Sequence, residues 1–585
     1  MPEANVAAPW IEKSNQHAQL VLDMLSRFHP EVGSMFGVPG VDERVIDLGP
    51  GIDERELAVM RETEAALKTR LAGESDTQVK QDLEIMLDLV ARSIEVHVAS
   101  EAILLPYRHL AETIYRGMRT VLDHQNAPER QRSGLPRLKR YAGLEPGSTP
   151  VAHEAMARWR EKAGNGELIG PARAEVEKNL GDATALLDGL APMFQAAHLE
   201  GYEPALAELR RQMAEYEAFV RAEVLPRARA DFRQPGELYR IGLKNVGVDM
   251  GLEELVSRAR VAFREIQQEM QAIAPLVARE QGLEMSDYRD VLRALKAKQL
   301  VGDAILPHYL ARIQELVAII TRERIVSLPD RAAQIRLATA AETAAQPAPH
   351  MQPPRLIGNT GERGTFVLPL AMSASPGQAA IAYDDFTFEA ASWTLTAHEG
   401  RPGHELQFAA LVEHGVSLAR ALFAFNSVNV EGWALYMEAE MKPYEPLDGQ
   451  LAALQHRLLR AARAFLDPGV QAQTITPEDA TRVLTQEVVM SEAMARQEVE
   501  RYMFRAPGQA TSYFCGYQRL TGLRAEVEHA LGTRFDRRRY HDFLLAQGLL
   551  PPSLLKRAVF EQFVPAERSA WLRTAGGTHG EAGIL

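Results

Sequence analysis

The chain has 585 residues, of which 46% are hydrophobic and 24% charged, and this composition excludes a disordered protein and predicts about two to four domains. Aspartate and glutamate (78) outnumber lysine and arginine (65), and the formal net charge of −13 predicts that neither nucleic acid nor an anionic membrane surface is a partner. Cys515 is the single cysteine, which excludes an intrachain disulfide and a cysteine-based zinc site.

The start of the chain, MPEANVAAPWIEKSNQHAQLVLDML, does not show the basic segment, apolar run and small-residue cleavage site of a secretory signal. The sequence also contains no stretch of about 18 consecutive apolar residues, the length that a membrane-spanning helix requires. These two observations predict a cytoplasmic protein that has no membrane segment.

Amphipathic helices dominate the first part of the chain. Residues 252–273 show apolar side chains at steps of three and four, which predicts a helix with one face in the core. Similar patterns predict a helical N-terminal region over residues 1–337. Alanine, proline and glutamine replace this pattern in residues 338–358, which are predicted to form a loop or linker.

The remaining residues, 359–585, are predicted to form a second region that is also mainly helical. It begins with the strand candidates GTFVLPLAM and QAAIAYDDFTFEA, which predict a small sheet before the motif described next. VNVEGWALYMEAEM then predicts a helix. A further long helix is predicted from Thr476, as its N-cap, to near Pro507.

A histidine and a glutamate stand together in LTAHEGRPGHELQ, residues 395–407. In metalloproteases such a pair lies on a helix, where the histidine binds zinc and the glutamate accepts a proton from water. His398 and Glu399 fit these roles. The usual second histidine would follow four residues later, but that position is Pro402, and the next histidine is His404.

A straight helix would point His404 about 120° away from His398. The intervening Gly-Arg-Pro-Gly segment favours a break, because proline disfavours helical geometry before it and glycine permits unusual dihedral angles. Such a break would let both histidines reach one metal. The alternative is a plain turn after a helix end, with His404 and Glu405 capping the next helix.

The third metal ligand is expected on a separate helix, because catalytic zinc sites use three protein ligands. Glu431 is the best candidate, and Gly432 beside it is expected to let its helix approach the first helix closely. Glu438 lies two helical turns further on, as a partner of a ligand or as a rival ligand.

The segment RAPGQATSYFCGYQRLTGLR contains candidate substrate-binding residues. A tyrosine hydroxyl near the metal stabilises an oxyanion, and an arginine holds a carboxylate through paired hydrogen bonds. Tyr513 and Tyr517 are the candidates for the first role. Arg519 and Arg524 are the candidates for the second, which would favour carboxypeptidase or dipeptidase activity by holding a free C-terminus.

The motifs HEGRPGHELQ, VEGWALYMEAE, RAPGQATSYFCGY and YHDFLLAQGLLPPSLL, in this order, resemble the bacterial family named domain of unknown function 885, grouped with zincin-like metallopeptidases. The resemblance implies a large, mainly α, gluzincin-like architecture with a small β-sheet next to the active-site helix, and a zincin-like catalytic region over residues 359–585. It implies one zinc per chain held by His398, His404 and Glu431, with Glu399 as base and Tyr513 as transition-state donor. The resemblance also implies a histidine at the position where this chain has Gln471.

The residues and the resemblance together predict a zinc-dependent hydrolase, most specifically a peptidase that cleaves short peptides. Two alternatives stay open: a hydrolase of a nonpeptide amide or a modified amino acid, and a noncatalytic protein that binds a peptide or a partner on the same scaffold. A homodimer is also left open.

Overall fold

The computed structural model describes residues 8–372 and 381–569. The part before the sheet is helical, as predicted. Its helices are Pro9–Phe28 (α1), Pro30–Phe36 (α2), Ile52–Gly73 (α3), Thr77–Ile103 (α4), Leu110–Leu122 (α5), Pro128–Gln131 (α6), Gly134–Tyr141 (α7), Val151–Ala163 (α8), Arg173–Asp188 (α9), Leu190–Ala196 (α10), Glu203–Phe219 (α11), Gly236–Asn245 (α12), Leu252–Glu280 (α13), Tyr288–Lys296 (α14) and Ile305–Arg322 (α15).

Short strands and one helix follow. The segment predicted as a loop or linker holds a helix closed by a capping box between Thr339 and Glu342, and it also holds a strand. The elements in this part of the chain are Gln334–Leu337 (β1), Ala340–Ala345 (α16), His350–Gln352 (β2), Thr365–Leu368 (β3), Ala371–Met372 (β4) and Ile381–Ala382 (β5).

The helices after the sheet form the rest of the described chain. Their bounds are Glu389–Glu399 (α17), His404–His414 (α18), Ser427–Met441 (α19), Leu447–Gln471 (α20), Pro477–Arg482 (α21), Glu492–Glu500 (α22), Thr511–Leu531 (α23), Arg537–Ala546 (α24) and Pro552–Ala558 (α25). The prediction of a mainly α fold is therefore confirmed.

The larger sheet has the order β1-β3-β2, with β1 parallel and β2 antiparallel to the central β3. All four residues of β3 are buried. Phe366 and Leu368 of β3 belong to the same apolar cluster as Leu395 of α17, so the sheet packs beside the helix that carries the His-Glu pair. The second predicted strand is present only as Ile381–Ala382, and its residues 378–380 lie outside the described chain.

The predicted helix from Thr476 to Pro507 is wrong in one respect, because it is interrupted. Thr476 caps α21 as expected, but the chain leaves helical geometry near Val489, which has a φ of 64°. The carbonyl of Val489 accepts hydrogen bonds from Lys296 Nζ (3.0 Å) and Gln455 Nε2 (3.1 Å), and Ser491 caps the new helix α22. Tertiary hydrogen bonds thus override the local helical pattern.

Candidate metal centre

His398 and Glu399 are the last two residues of α17, and both side chains are buried. The chain turns sharply through residues 400–403 before α18 begins at His404. A Cβ atom on Gly403 would lie 2.0 Å from the carbonyl oxygen of His398, so only glycine permits this close return of the backbone. The rings of His398 and His404 consequently lie with their centroids 4.7 Å apart. The turn predicted as the alternative is present, and it is also what brings the histidines together.

Glu431 on α19 completes the cluster. Its Oε2 lies 3.4 Å from Nε2 of His398 and 3.2 Å from Nε2 of His404. The structure corrects the role expected for Gly432, which approaches Gly516 of α23 and not the helix of the histidines. A Cβ on Gly432 would lie 2.7 Å from the Cα of Gly516. This crossing sets α23 against α19, beside the three candidate ligands.

Glu438, two helical turns beyond Glu431 on α19, holds the ring of His398. Its Oε1 lies 2.6 Å from Nδ1 of His398, and its Oε2 accepts a hydrogen bond from Thr394 (2.7 Å). Burial raises the pKa of Glu438, but the opposing effect of Arg460 and His398 is larger and brings the pKa down to about 2. The carboxylate is therefore ionised. An ionised partner at Nδ1 leaves Nε2 of His398 as the atom that faces the cluster.

The three side chains fit a zinc ion. The ligating atoms of His398, His404 and Glu431 lie within 4.8 Å of one another. Two ligands at 2.0–2.1 Å from a tetrahedral zinc are about 3.3 Å apart, close to the separations between Glu431 and the two imidazoles. Glu431 Oε2 is buried without a hydrogen-bond partner in the described protein, as expected of a carboxylate oxygen built to meet a cation.

Glu399 is placed to act on a molecule at this cluster without being part of it. Its Oε1 lies 3.9 Å from Nε2 of His398, and its Oε2 is buried with no hydrogen-bond partner among the described residues. Burial raises the pKa of Glu399, while the neighbouring imidazoles act in the opposite direction. A carboxylate with a raised pKa is better matched to taking up a proton near neutral pH.

Tyr513 on α23 faces the cluster from the other side. Its ring stacks parallel to that of His398 at 6.4 Å between centroids, and its hydroxyl accepts a hydrogen bond from Arg501 (3.1 Å). Burial raises the pKa of Tyr513, which keeps the phenol protonated and able to donate. The structure thus brings together His398, Glu399, His404, Glu431 and Tyr513.

The other predicted substrate residues lie elsewhere. Arg519 forms an ion pair with Asp249 (2.9 Å) and is 40% exposed, and Arg524 forms ion pairs with Glu440 and Glu528. Tyr517 packs against the guanidinium of Arg457. Tyr517 and Arg524 lie on the same side of α23 as Tyr513, but about one and three helical turns further along it, so they lie beyond the cluster. Arg519 points to a different side of the helix, about 120° away.

Gln471, at the end of α20, makes only structural contacts. Its amide nitrogen donates to the carbonyl of Tyr502 (2.7 Å), and its oxygen accepts from the backbone N–H of Gln234 (2.9 Å). Gln471 does not line either of the two cavities described next. A glutamine at this position therefore leaves the cluster itself intact.

Two cavities meet at the cluster. The outer cavity has a volume of about 630 Å³ and extends to the N-terminal helices α5 and α9; the residues along it include Glu112, Glu175, His404, Phe408, Glu431 and Tyr513. The inner pocket has a volume of about 70 Å³ and lies behind the His-Glu pair; the residues along it include His398, Glu399, His456, Arg460, Arg463 and Arg501. The N-terminal region therefore forms part of the outer wall.

Arg460, Arg463 and Arg501 were missed by the sequence analysis. Arg463 forms two hydrogen bonds with Glu498 (2.7 and 2.5 Å), and both side chains are buried. A signal was present in RLLRAARAF, residues 457–465, where three arginines at steps of three interrupt an apolar helix. Amphipathic patterns are usually read with such arginines on the solvent face, and only packing from both sides shows otherwise.

The comparisons with known proteins agree with the fold. Residues 30–559 match the model of a family described as "Bacterial protein of unknown function (DUF885)". The chain belongs to this family. No curated protein matches the chain.

Solved structures resemble this DUF885 chain over almost its whole length. A candidate lipoprotein from Colwellia psychrerythraea is 19% identical with a TM-score of 0.75, and a candidate lipoprotein of unknown function from Shewanella oneidensis is 19% identical with a TM-score of 0.69. Each match covers 95% of this chain and 100% of the other. At this identity the likeness shows the fold alone. Among the described residues, no helix is long and apolar enough to cross a membrane.

Proposed function

We propose that this DUF885 protein is a zinc-dependent hydrolase of the zincin type that cleaves short peptides. The observation that carries the proposal is the meeting of His398, His404 and Glu431 at 3.2–3.4 Å between Glu431 and each imidazole, with Glu399 alongside. Two histidines and one glutamate are the ligand set of a catalytic zinc site that keeps a position open. Bound zinc in such a site lowers the pKa of water and polarises a carbonyl.

The roles of the protein side chains follow from their placement. His398, His404 and Glu431 would hold the ion, and Glu438 fixes the orientation of His398 through Nδ1. Glu399 would accept a proton from the attacking water and return it to the leaving nitrogen. The hydroxyl of Tyr513 would donate a hydrogen bond to the oxyanion that forms at the scissile carbonyl.

A short peptide or a similar amide is the substrate class that fits the outer cavity. Its volume of about 630 Å³ is within the usual range of small-ligand sites. Helices α5 and α9 contribute part of the wall of this cavity. The substrate would therefore enter as a short segment.

Glu399→Gln tests the proposal, because glutamine keeps the shape of the side chain and cannot accept the proton. We expect the zinc content to stay unchanged and the turnover of a mixed short-peptide library to fall by about 10²–10⁴-fold. Glu389→Gln, at the exposed start of the same helix, is the matched control and should keep full activity.

Near-normal hydrolysis by Glu399→Gln would show that the base is assigned wrongly. Full zinc content without cleavage of any peptide by the wild type would favour the nonpeptide amide as substrate. Peptide binding without turnover, unchanged in Glu399→Gln, would favour a noncatalytic binding protein.

A further inference from the structure

The two cavities beside the candidate centre differ greatly in volume. The outer cavity is about nine times larger than the inner pocket, 630 against 70 Å³. A buried water needs about 10–15 Å³ measured in the same way, so the inner pocket is larger than a water site. The inner pocket has room for the terminal residue of a peptide substrate but not for further residues. A peptide bound across His398 and Glu399 would therefore place only its terminal residue in the inner pocket, and the rest of the peptide would lie in the outer cavity.

The charge of the inner pocket favours an anionic end. Arg460, Arg463 and Arg501 contribute three guanidinium groups, whereas the carboxylates in contact with them are Glu438 and Glu498. Among these five groups, one positive charge is in excess. A peptide N-terminus, which is an ammonium group, would be repelled from such a pocket, and a C-terminal carboxylate would be attracted.

Glu399 lines both cavities and belongs to the candidate catalytic groups at their junction. Apart from Glu399, the remaining polar groups of the inner pocket do not remove this excess. Asp385 is neutralised by Lys296, whose Nζ lies 2.9 Å from its Oδ1, and Lys296 also contacts Asp384 at the exposed surface. Burial lowers the pKa of His456 to about 3, so its imidazole is neutral. Gln455 donates its amide hydrogens to the carbonyls of residues 488 and 489.

Arg460 is the guanidinium with unused hydrogen-bonding capacity. Its Nε is buried and has no hydrogen-bond partner in the described protein. Its Nη1 donates to the backbone carbonyl of His456 (3.2 Å), and its Nη2 makes only a long contact of 3.4 Å with Glu438. Arg463, by contrast, is engaged by Glu498 through two short hydrogen bonds. Arg501 is bonded to Tyr513 and Gln509. The group available to a bound carboxylate is therefore Arg460.

The rest of the inner pocket is apolar. The side chains that line it include those of Phe386, Leu395, Leu459, Val488, Met490 and Met494. The interruption between α21 and α22 contributes two of these residues, since it turns positions 488–490 toward α20. An apolar side chain beside the carboxylate would be buried against these residues, and this burial is favourable.

We propose that the inner pocket binds the C-terminal residue of the substrate, with Arg460 holding its free carboxylate, and that the protein is a carboxypeptidase that releases one apolar amino acid. This inference rests on the proposed hydrolase function and adds the direction of attack. Water adds across the last peptide bond: the acyl carbon gains the oxygen, the C–N bond breaks, and the leaving nitrogen takes up a proton. The products are a shortened peptide acid and a free amino acid.

The test compares two substrates that differ only at the C-terminus, N-acetyl-Ala-Ala-Leu as the free acid and as the amide. A charge-assisted hydrogen bond favours the acid by about 10–150-fold in kcat/KM. In Arg460→Gln we expect this ratio to fall to within a few-fold of one. Arg460 contacts Glu438, which holds His398, so the variant could bind less zinc. Both substrates are measured on one preparation, and a lower zinc content therefore cancels in the ratio of the two kcat/KM values.

Arg457→Gln is the matched control, because Arg457 lies one turn earlier on the same helix and packs over Tyr517, outside the inner pocket. It should keep the wild-type ratio. Equal cleavage of acid and amide by the wild type would overturn the assignment of the pocket while leaving the hydrolase function in place. So would an Arg460→Gln variant that keeps the full preference.

A binding measurement separates the two proposals. Calorimetry with zinc-loaded Glu399→Gln protein should show binding of N-acetyl-Ala-Ala-Leu at least 10-fold tighter than binding of its amide. If the wild type cleaves neither compound but this preference is present, the hydrolase function fails and the carboxylate pocket stands. If acid and amide bind equally, the pocket assignment is wrong whatever the activity.

Discussion

Helices α13 and α20 pack against each other in one apolar cluster, yet they were not equally predictable. The buried residues of α13 are all apolar, and its charges lie outside, as in the exposed pair of Glu254 and Arg258. Helix α20 is buried on nearly every side and still carries Arg460 and Arg463. The first helix follows hydrophobic periodicity alone, and the second departs from it where it meets the candidate metal centre.

The difference has a physical cause. A charged side chain loses several kcal/mol of hydration on burial, and only a closely placed partner offsets this cost. A stable core does not need such groups, so their presence on α20 indicates a demand other than stability. The buried arginines of α20 contact Glu438, which holds a candidate zinc ligand, and Glu498, which lines the outer cavity.

The largest expected effect on folding comes from breaking the buried pair. Glu498→Gln leaves the Arg463 guanidinium buried without its countercharge and should lower the free energy of unfolding by about 3–5 kcal/mol. Glu254→Gln removes a carboxylate from the exposed pair on α13 and should change it by no more than about 0.5 kcal/mol. Urea unfolding followed by tryptophan fluorescence measures both. Equal losses would remove the distinction between the two helices.

Acid should weaken the same buried pair. Burial raises the pKa of Glu498, but the opposing effect of Arg463 and Arg501 is larger and brings the pKa down to about 2. In the unfolded chain a glutamate titrates near 4.3. Because the folded pKa is the lower one, the stabilisation is complete above about pH 4.3 and is lost as the pH falls toward 2. Between these values the stability of the wild type should fall more steeply than that of Glu498→Gln, and parallel curves would contradict the assignment.

A smaller effect is expected from the glycines that set the helices around the centre. A Cβ on Gly516 would lie 2.0 Å from the carbonyl oxygen of Val428, so Gly516→Ala should cost about 1–3 kcal/mol. Gly181, inside α9, has no atom within 4 Å of such a Cβ. Gly181→Ala should therefore stabilise the protein by about 0.5–1 kcal/mol. The same unfolding measurement checks both, and a neutral Gly516→Ala would show that α19 and α23 can separate without cost.

For residues that share one motif, the sequence alone predicted that their side chains lie together. His398, Glu399 and His404 stand within seven positions, and the Gly-Arg-Pro-Gly segment between them predicted the turn that brings the histidines together. Glu431 and Tyr513 were candidates from separate motifs, and the resemblance to DUF885 implied the same roles for them. The amphipathic stripe of α13 likewise predicted its own buried face.

The positions that the sequence did not predict depend on contacts between distant elements. Arg519 and Arg524 looked suitable for holding a carboxylate, but Arg519 meets Asp249 and Arg524 meets Glu440, further along α19 than Glu431. The interruption near Val489 depends on a hydrogen bond from Lys296, almost two hundred residues earlier. Neither relation leaves a periodic signal in the local sequence.

Zinc content per chain is the most direct test of the central claim, that His398, His404 and Glu431 share one metal ion. Elemental analysis should be made on wild-type protein purified without chelators and then supplied with zinc, on His404→Ala, and on His153→Ala, which removes an exposed histidine of α8. The account predicts about one zinc per chain in the wild type and in His153→Ala, and much less in His404→Ala. A wild type that takes up no zinc, or a His404→Ala variant that retains it fully, would contradict the account.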